Sequence, residues 1–136
     1  MLSVLKDKTI NFEIIIDIDY KAMDKLDKDE RLKKITEMKQ VILLTKDCLN
    51  TAIKTNKSFI KTQILFNIIF LLLAAVCVWF EILIAGLMSV GFFLFSIKSI
   101  INGQNTIEYD KKILEYVIEK EKELDEYIEG CGGNSF

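Results

Sequence analysis

Hydrophobic and polar positions change their period three times along the chain. In TINFEIIIDIDY, residues 9–20, Ile10, Phe12, Ile14, Ile16, Ile18 and Tyr20 alternate with Thr9, Asn11, Glu13, Ile15, Asp17 and Asp19. A period of two in β-branched residues predicts a strand, because successive side chains of extended backbone point to opposite faces. From Asp24 to Lys61 the period lengthens. Ile35, Met38, Ile42, Leu49, Ala52 and Phe59 form an a/d seam, with Thr45 and Asn56 at the seam positions between them. Residues 64–97, ILFNIIFLLLAAVCVWFEILIAGLMSVGFFLFSI, show no period: they carry one charge, Glu81, and little polarity beyond Asn67, Ser89 and Ser96. A second seam follows at Ile107, Leu114, Val117, Leu124 and Ile128, broken by Asp110 and Glu121.

The apolar stretch is too long for one membrane helix. As a continuous helix its 34 residues would run about 51 Å, against a hydrocarbon core of roughly 30 Å. Two spans, 64–80 and 82–101, turning near Trp79-Phe80-Glu81, fit the core, set Trp79 at the interface and bring Glu81 to water. No Gly, Pro, Asn or Asp lies between Ile68 and Ala85, so a shallow re-entrant hairpin or a hairpin buried in a soluble bundle is the alternative. The expected fold is an all-α membrane protein: a long antiparallel helical hairpin with two transmembrane spans and cytoplasmic helical extensions. One short N-terminal strand or interfacial helix completes it. The expected segments are a strand-like stretch at 1–22, a cytoplasmic helix at 23–63 and the membrane hairpin at 64–101. A cytoplasmic acidic helix at 104–129 and a flexible tail at 130–136 follow, with a break or kink expected at Asn102-Gly103.

Charge supports the pairing of the two extensions. Residues 20–62 hold eleven basic and six acidic groups, and residues 105–129 four and nine, so the halves sum to +5 and −5. Lysines flank both spans at the ends away from the turn, which carries only Glu81, and by the positive-inside rule this puts both termini in the cytoplasm and the turn outside. That is the topology of a two-span protein of the inner or plasma membrane. Composition then removes whole classes of function. With no histidine among 136 residues, Ser-His-Asp and Cys-His catalysis fall away, as do the usual zinc sites. A net charge of −2 argues against nucleic acid as a partner. No Walker loop or dinucleotide fingerprint is present, so no cofactor is expected, and the chain does not read as an enzyme. The missing proline suits two helices that run nearly unbroken from cytosol into bilayer.

The candidate functional residues lie in and around the spans. Ala85, Ser89, Phe92, Ser96, Ser99 and Gly103 recur at steps of three or four, a face of small or weakly polar residues broken by Phe92. Such a face allows close helix approach in lipid, either between the two spans or around an oligomer face or pore. Trp79 and Glu81 mark the outer turn, where a ring of copies would present an acidic collar. This pair resembles, at two residues and without the accompanying Asp and Pro pattern, the pore turn of mitochondrial calcium uniporters. Asn67 is placed to hydrogen-bond between helices. The strand at Ile10, Phe12, Ile14, Ile16 and Ile18 has no evident partner within the chain, so pairing with another copy or another protein is expected.

In topology and length, over residues 24–129, the chain resembles SLATT-type proteins, two-span bacterial membrane proteins proposed as pore-forming effectors in nucleotide-linked antiphage systems. The resemblance implies an oligomeric channel-like effector opened by a signal. The residues themselves support equally a non-conducting interaction protein: an immunity protein, a scaffold or an accessory subunit of a membrane complex. The partners expected are the lipid bilayer and either further copies or a membrane-complex protein.

Overall fold

The computed structural model describes residues 2–6 and 12–131. In chain order the elements are β1 (Leu2–Lys6), β2 (Phe12–Ile16), α1 (Tyr20–Asp24), α2 (Lys28–Trp79) and α3 (Leu83–Gly130). They form two compact units: a terminal one, Met1–Asn50 with Lys111–Phe136, and a central one, Thr51–Asp110.

In the terminal unit β1 and β2 pair antiparallel, from Leu2 opposite Ile16 to Lys6 opposite Phe12. This corrects the expectation of a strand with no partner in its own chain. Leu2–Lys6, five residues without strict alternation, supply the partner. Residues 12–16 are a strand and not an interfacial helix. Ile10 lies outside the described residues.

After β2 the chain enters α1, five residues capped by Asp19, whose Oδ1 accepts the Ala22 N–H at 3.0 Å. The carbonyls at the end of this short helix are met by one side chain. Arg31 donates from Nε to Met23 O at 3.1 Å, and from Nη2 to Asp24 O and Leu26 O at 3.0 and 3.2 Å. The long helix therefore starts at Lys28, with Asp29 and Glu30 favourably placed at its positive end. The helix expected from residue 23 thus begins five residues later.

Ile16, Ile42, Leu49, Val117 and Leu124 form the core of the terminal unit, with Ile14, Ile18, Tyr20, Met38, Leu114, Tyr116 and Ile128 packed on it. The alternation of residues 14–20 thus turns its isoleucines inward. Lys39 bonds Asp125 at 2.8 Å and Lys46 bonds Glu121 at 2.5 Å. Rising numbers on α2 meet falling numbers on α3, so the two helices pair antiparallel.

The central unit repeats that arrangement. Ser96 meets Gln63, Gly103 meets Ile60, Phe70 stacks on Phe92 and Gly86 faces Cys77. On α3 the less exposed positions keep heptad spacing from Gly86 to Leu124: 86, 89, 93, 96, 100, 103, 107, 110, 114, 117, 121 and 124. On α2 they do not. After Thr45 and Leu49 the next buried residue is Ile53, then Ile60. Two steps of four in succession make a stutter, which resets the 3.5-residue period toward the natural 3.6. The seam expected at Ala52 and Phe59 is corrected by one residue, and Phe59 is exposed.

α3 also passes through Asn102-Gly103 as continuous helix, correcting the expected break. Gly103 serves a close approach instead: a Cβ there would lie 3.1 Å from Ile60 Cγ1. The two helices are each long and apolar enough to cross a membrane.

Candidate functional site

The expected small-residue face lies where α3 meets α2 in the central unit. Ser96 is buried, its hydroxyl donating to Gln63 Oε1 at 2.8 Å. Ser89 donates to the Ala85 carbonyl of its own helix at 2.9 Å, which satisfies the hydroxyl without a partner from α2. Ala85 and Ser99 are half-buried at the margin of this face, whereas Gly86, one residue on from Ala85, is buried. Phe92 is exposed and stacks on Phe70, ring centroids 5.5 Å apart and planes at 17°. Packing within one chain therefore occupies the faces of Ser96, Gly86 and Gly103.

Asn67 sits one turn beyond Gln63 on α2. Its Oδ1 is buried and accepts no hydrogen bond, so the expected bond between helices is not made by that atom. The rest of the outer surface is apolar. Apart from Glu81, every exposed residue from Ile64 to Phe95 is Ala, Val, Ile, Leu, Met, Phe, Trp or Gly. In α2 none of the most apolar 18-residue stretch is buried, and in α3 only 6% of it. The chain covers little of this surface by itself.

Glu81 forms the turn in a way its residue type does not announce. It is the one non-glycine residue with positive φ, 57°, among those described. The Glu81 N–H donates to Val78 O at 3.2 Å and the Ile82 N–H to Cys77 O at 2.9 Å. These two bonds are a Schellman closure, the usual way a helix ends on a left-handed residue. Ile82 and Cys77 also line one cavity beside the turn. Trp79, the last residue of α2, is 84% exposed.

A second candidate surface is the attachment of the N-terminal segment in the terminal unit, which sequence patterns did not single out. Tyr116 on α3 uses its hydroxyl twice, donating to Ile16 O at 3.3 Å and accepting the Ile16 N–H at 3.2 Å. The end of β2 is thereby bonded to a helix. Tyr20 packs on Tyr127 with centroids 4.8 Å apart, and Tyr127 donates to Asp24 Oδ1 at 2.6 Å. Burial first, then the bonds to Asp24 and Cys131, hold the Tyr127 phenol well above its usual range. Tyr20 is raised as well, by burial and then by the Glu123 carboxylate, and its buried hydroxyl has no hydrogen-bond partner. Beside this segment Ile16, Ile18, Met38, Val41 and Ile42 line an apolar groove edged by Lys34 and Glu37. The sequence signal for the attachment was a pair of tyrosines, Tyr116 and Tyr127, beside the apolar seam of the acidic helix.

No cluster of three or more potential metal-binding side chains occurs among the described residues. Comparison with protein families, curated proteins and solved structures finds no match.

Proposed function

We propose that the chain is a two-span membrane protein, both termini cytoplasmic, that acts as a membrane-anchored interaction protein. One observation carries this reading: the central unit turns Ser96 and Gln63 inward and leaves, from Ile64 to Phe95, an outer surface that is apolar except at Glu81. Such a surface suits hydrocarbon and gives an aqueous path no polar lining. The terminal unit, with its β-hairpin and apolar groove, is then the working part held at the membrane face. Vesicles carrying the purified chain are expected to leak ions no faster than empty ones. A leak that Ser89→Leu or Ser96→Leu abolishes would reject this function.

A second reading, the oligomeric pore-forming effector that the SLATT resemblance implies, draws on Gly91. This exposed glycine has nothing within 4 Å of the Cβ it lacks, which leaves a seat for a helix of another copy. Pores can also gate at apolar constrictions. Native mass spectrometry in nanodiscs separates the two readings: a closed ring of four or more copies supports the pore, whereas a monomer supports the interaction protein.

A further inference from the structure

The two units differ in the acids available to their lysines. In the terminal unit Lys39 and Lys46 reach across to Asp125 and Glu121. The central unit has four basic residues, Lys54, Lys57, Lys61 and Lys98, all exposed, and none makes an ion pair among the described residues. Its acids are Glu108 and Asp110 at one end and Glu81 at the turn.

Position makes this set specific. Lys54, Lys57 and Lys61 are spaced three and four apart, so they share one face of α2. Lys61 precedes Ile64, where the apolar surface begins, by three residues or about 4.5 Å of helix. Lys57 lies about 10 Å below that edge. On α3, Ser96 meets Gln63 and Gly103 meets Ile60, which sets Lys98 at the height of Lys61. The headgroup layer adds roughly 5–8 Å to each side of a bilayer core. Lys61 therefore falls within it, Lys98 reaches it from the end of the second span, and Lys57 and Lys54 continue the same positive face within about a Debye length of one another.

We infer that Lys54, Lys57, Lys61 and Lys98 form a collar that binds the phosphate groups of anionic phospholipids in the leaflet nearest the termini. The inference rests on the membrane reading above. Ammonium groups suit this partner: they are compact point charges on long stems that extend along apolar surface to reach phosphate. The bond is electrostatic, worth about a fivefold preference per lysine.

The test uses the full chain in nanodiscs of equal phosphatidylcholine and phosphatidylglycerol, with native mass spectrometry counting the lipids it retains. Phosphatidylglycerol is expected in excess by fivefold or more. The variant Lys54→Gln, Lys57→Gln, Lys61→Gln, Lys98→Gln is expected near parity. A control with the same loss of charge, Lys28→Gln, Lys33→Gln, Lys111→Gln, Lys112→Gln, is expected to keep the excess. Parity in the unaltered chain, or an equal fall in the control, overturns the collar while the membrane reading stands. A chain that elutes outside the discs overturns both.

Discussion

Glu81 occupies a conformation that costs a non-glycine residue about 1 kcal/mol, at φ 57°. The Schellman bonds hold it there. Glu81→Gly is therefore expected to stabilise the fold by about 1 kcal/mol, and Glu81→Val to destabilise it by at least as much, in thermal unfolding of the chain in detergent. The location of the turn was legible from the charge, since a carboxylate avoids hydrocarbon. Its backbone form was not, because no glycine or asparagine marks it. Gly103 shows the converse. A glycine beside an asparagine reads as a helix break, yet its partner Ile60 lies about forty residues away in sequence and only the paired helices reveal it. A Cβ at 103 would press within 3.1 Å of Ile60, so Gly103→Leu is expected to cost about 2 kcal/mol. Ile60→Ala in the same chain should recover part of that loss. An unchanged melting temperature for Gly103→Leu would mean that the helices do not meet there.

Among the elements, α3 was the most readable, because a strict heptad of Ile107, Asp110, Leu114, Val117, Glu121 and Leu124 permits one phase. On α2 the phase drifts past Leu49, where Ala52 and Ile53, then Phe59 and Ile60, offer apolar residues on both candidate seams. Only the partner helix selects between them. The β-hairpin was half legible for a similar reason: β2 alternates, while Leu2–Lys6 is too short to declare itself. Its attachment depends on Tyr116. Tyr116→Phe is expected to remove both hydrogen bonds to Ile16 and to speed exchange of the Ile16 amide about tenfold, with the pairing of α2 and α3 unchanged. Asp110 tests the α3 seam by pH. Burial raises its pKa above the ordinary value. A carboxyl raised in the folded state binds its proton more tightly there than in the unfolded chain. Stability must then rise as pH falls through the folded value, and the cost of the buried charge is fully present above it. Asp110→Asn is expected to raise the melting temperature at pH 8 and to flatten the rise otherwise seen as pH falls through the folded carboxyl's range.

At the scale of the whole molecule, the two-span proposal rests on span lengths, which suit a hairpin that crosses the bilayer better than one that turns back within it. From Lys61 to Trp79 the helix rises about 27 Å, close to the thickness of a hydrocarbon core of about 30 Å. Leu83 to Ile101 gives a similar length, with Lys98 long enough to reach the interface from within the span. A shallow re-entrant hairpin would need a turn that tolerates hydrocarbon, and Glu81 does not. On the proposed two-span topology, residues 81 and 29 are reached from opposite faces of the membrane. The chain's own thiols, Cys48, Cys77 and Cys131, are first replaced by serine or alanine, and single cysteines are then introduced at exposed Glu81 and exposed Asp29. A charged maleimide that cannot cross membranes is expected to label Glu81→Cys on intact cells and Asp29→Cys only after permeabilisation. Labelling of Asp29→Cys after permeabilisation, with Glu81→Cys unlabelled throughout, would mean the hairpin turns back within the bilayer. Labelling of Asp29→Cys alone on intact cells would reverse the orientation and move the lysine collar to the outer leaflet.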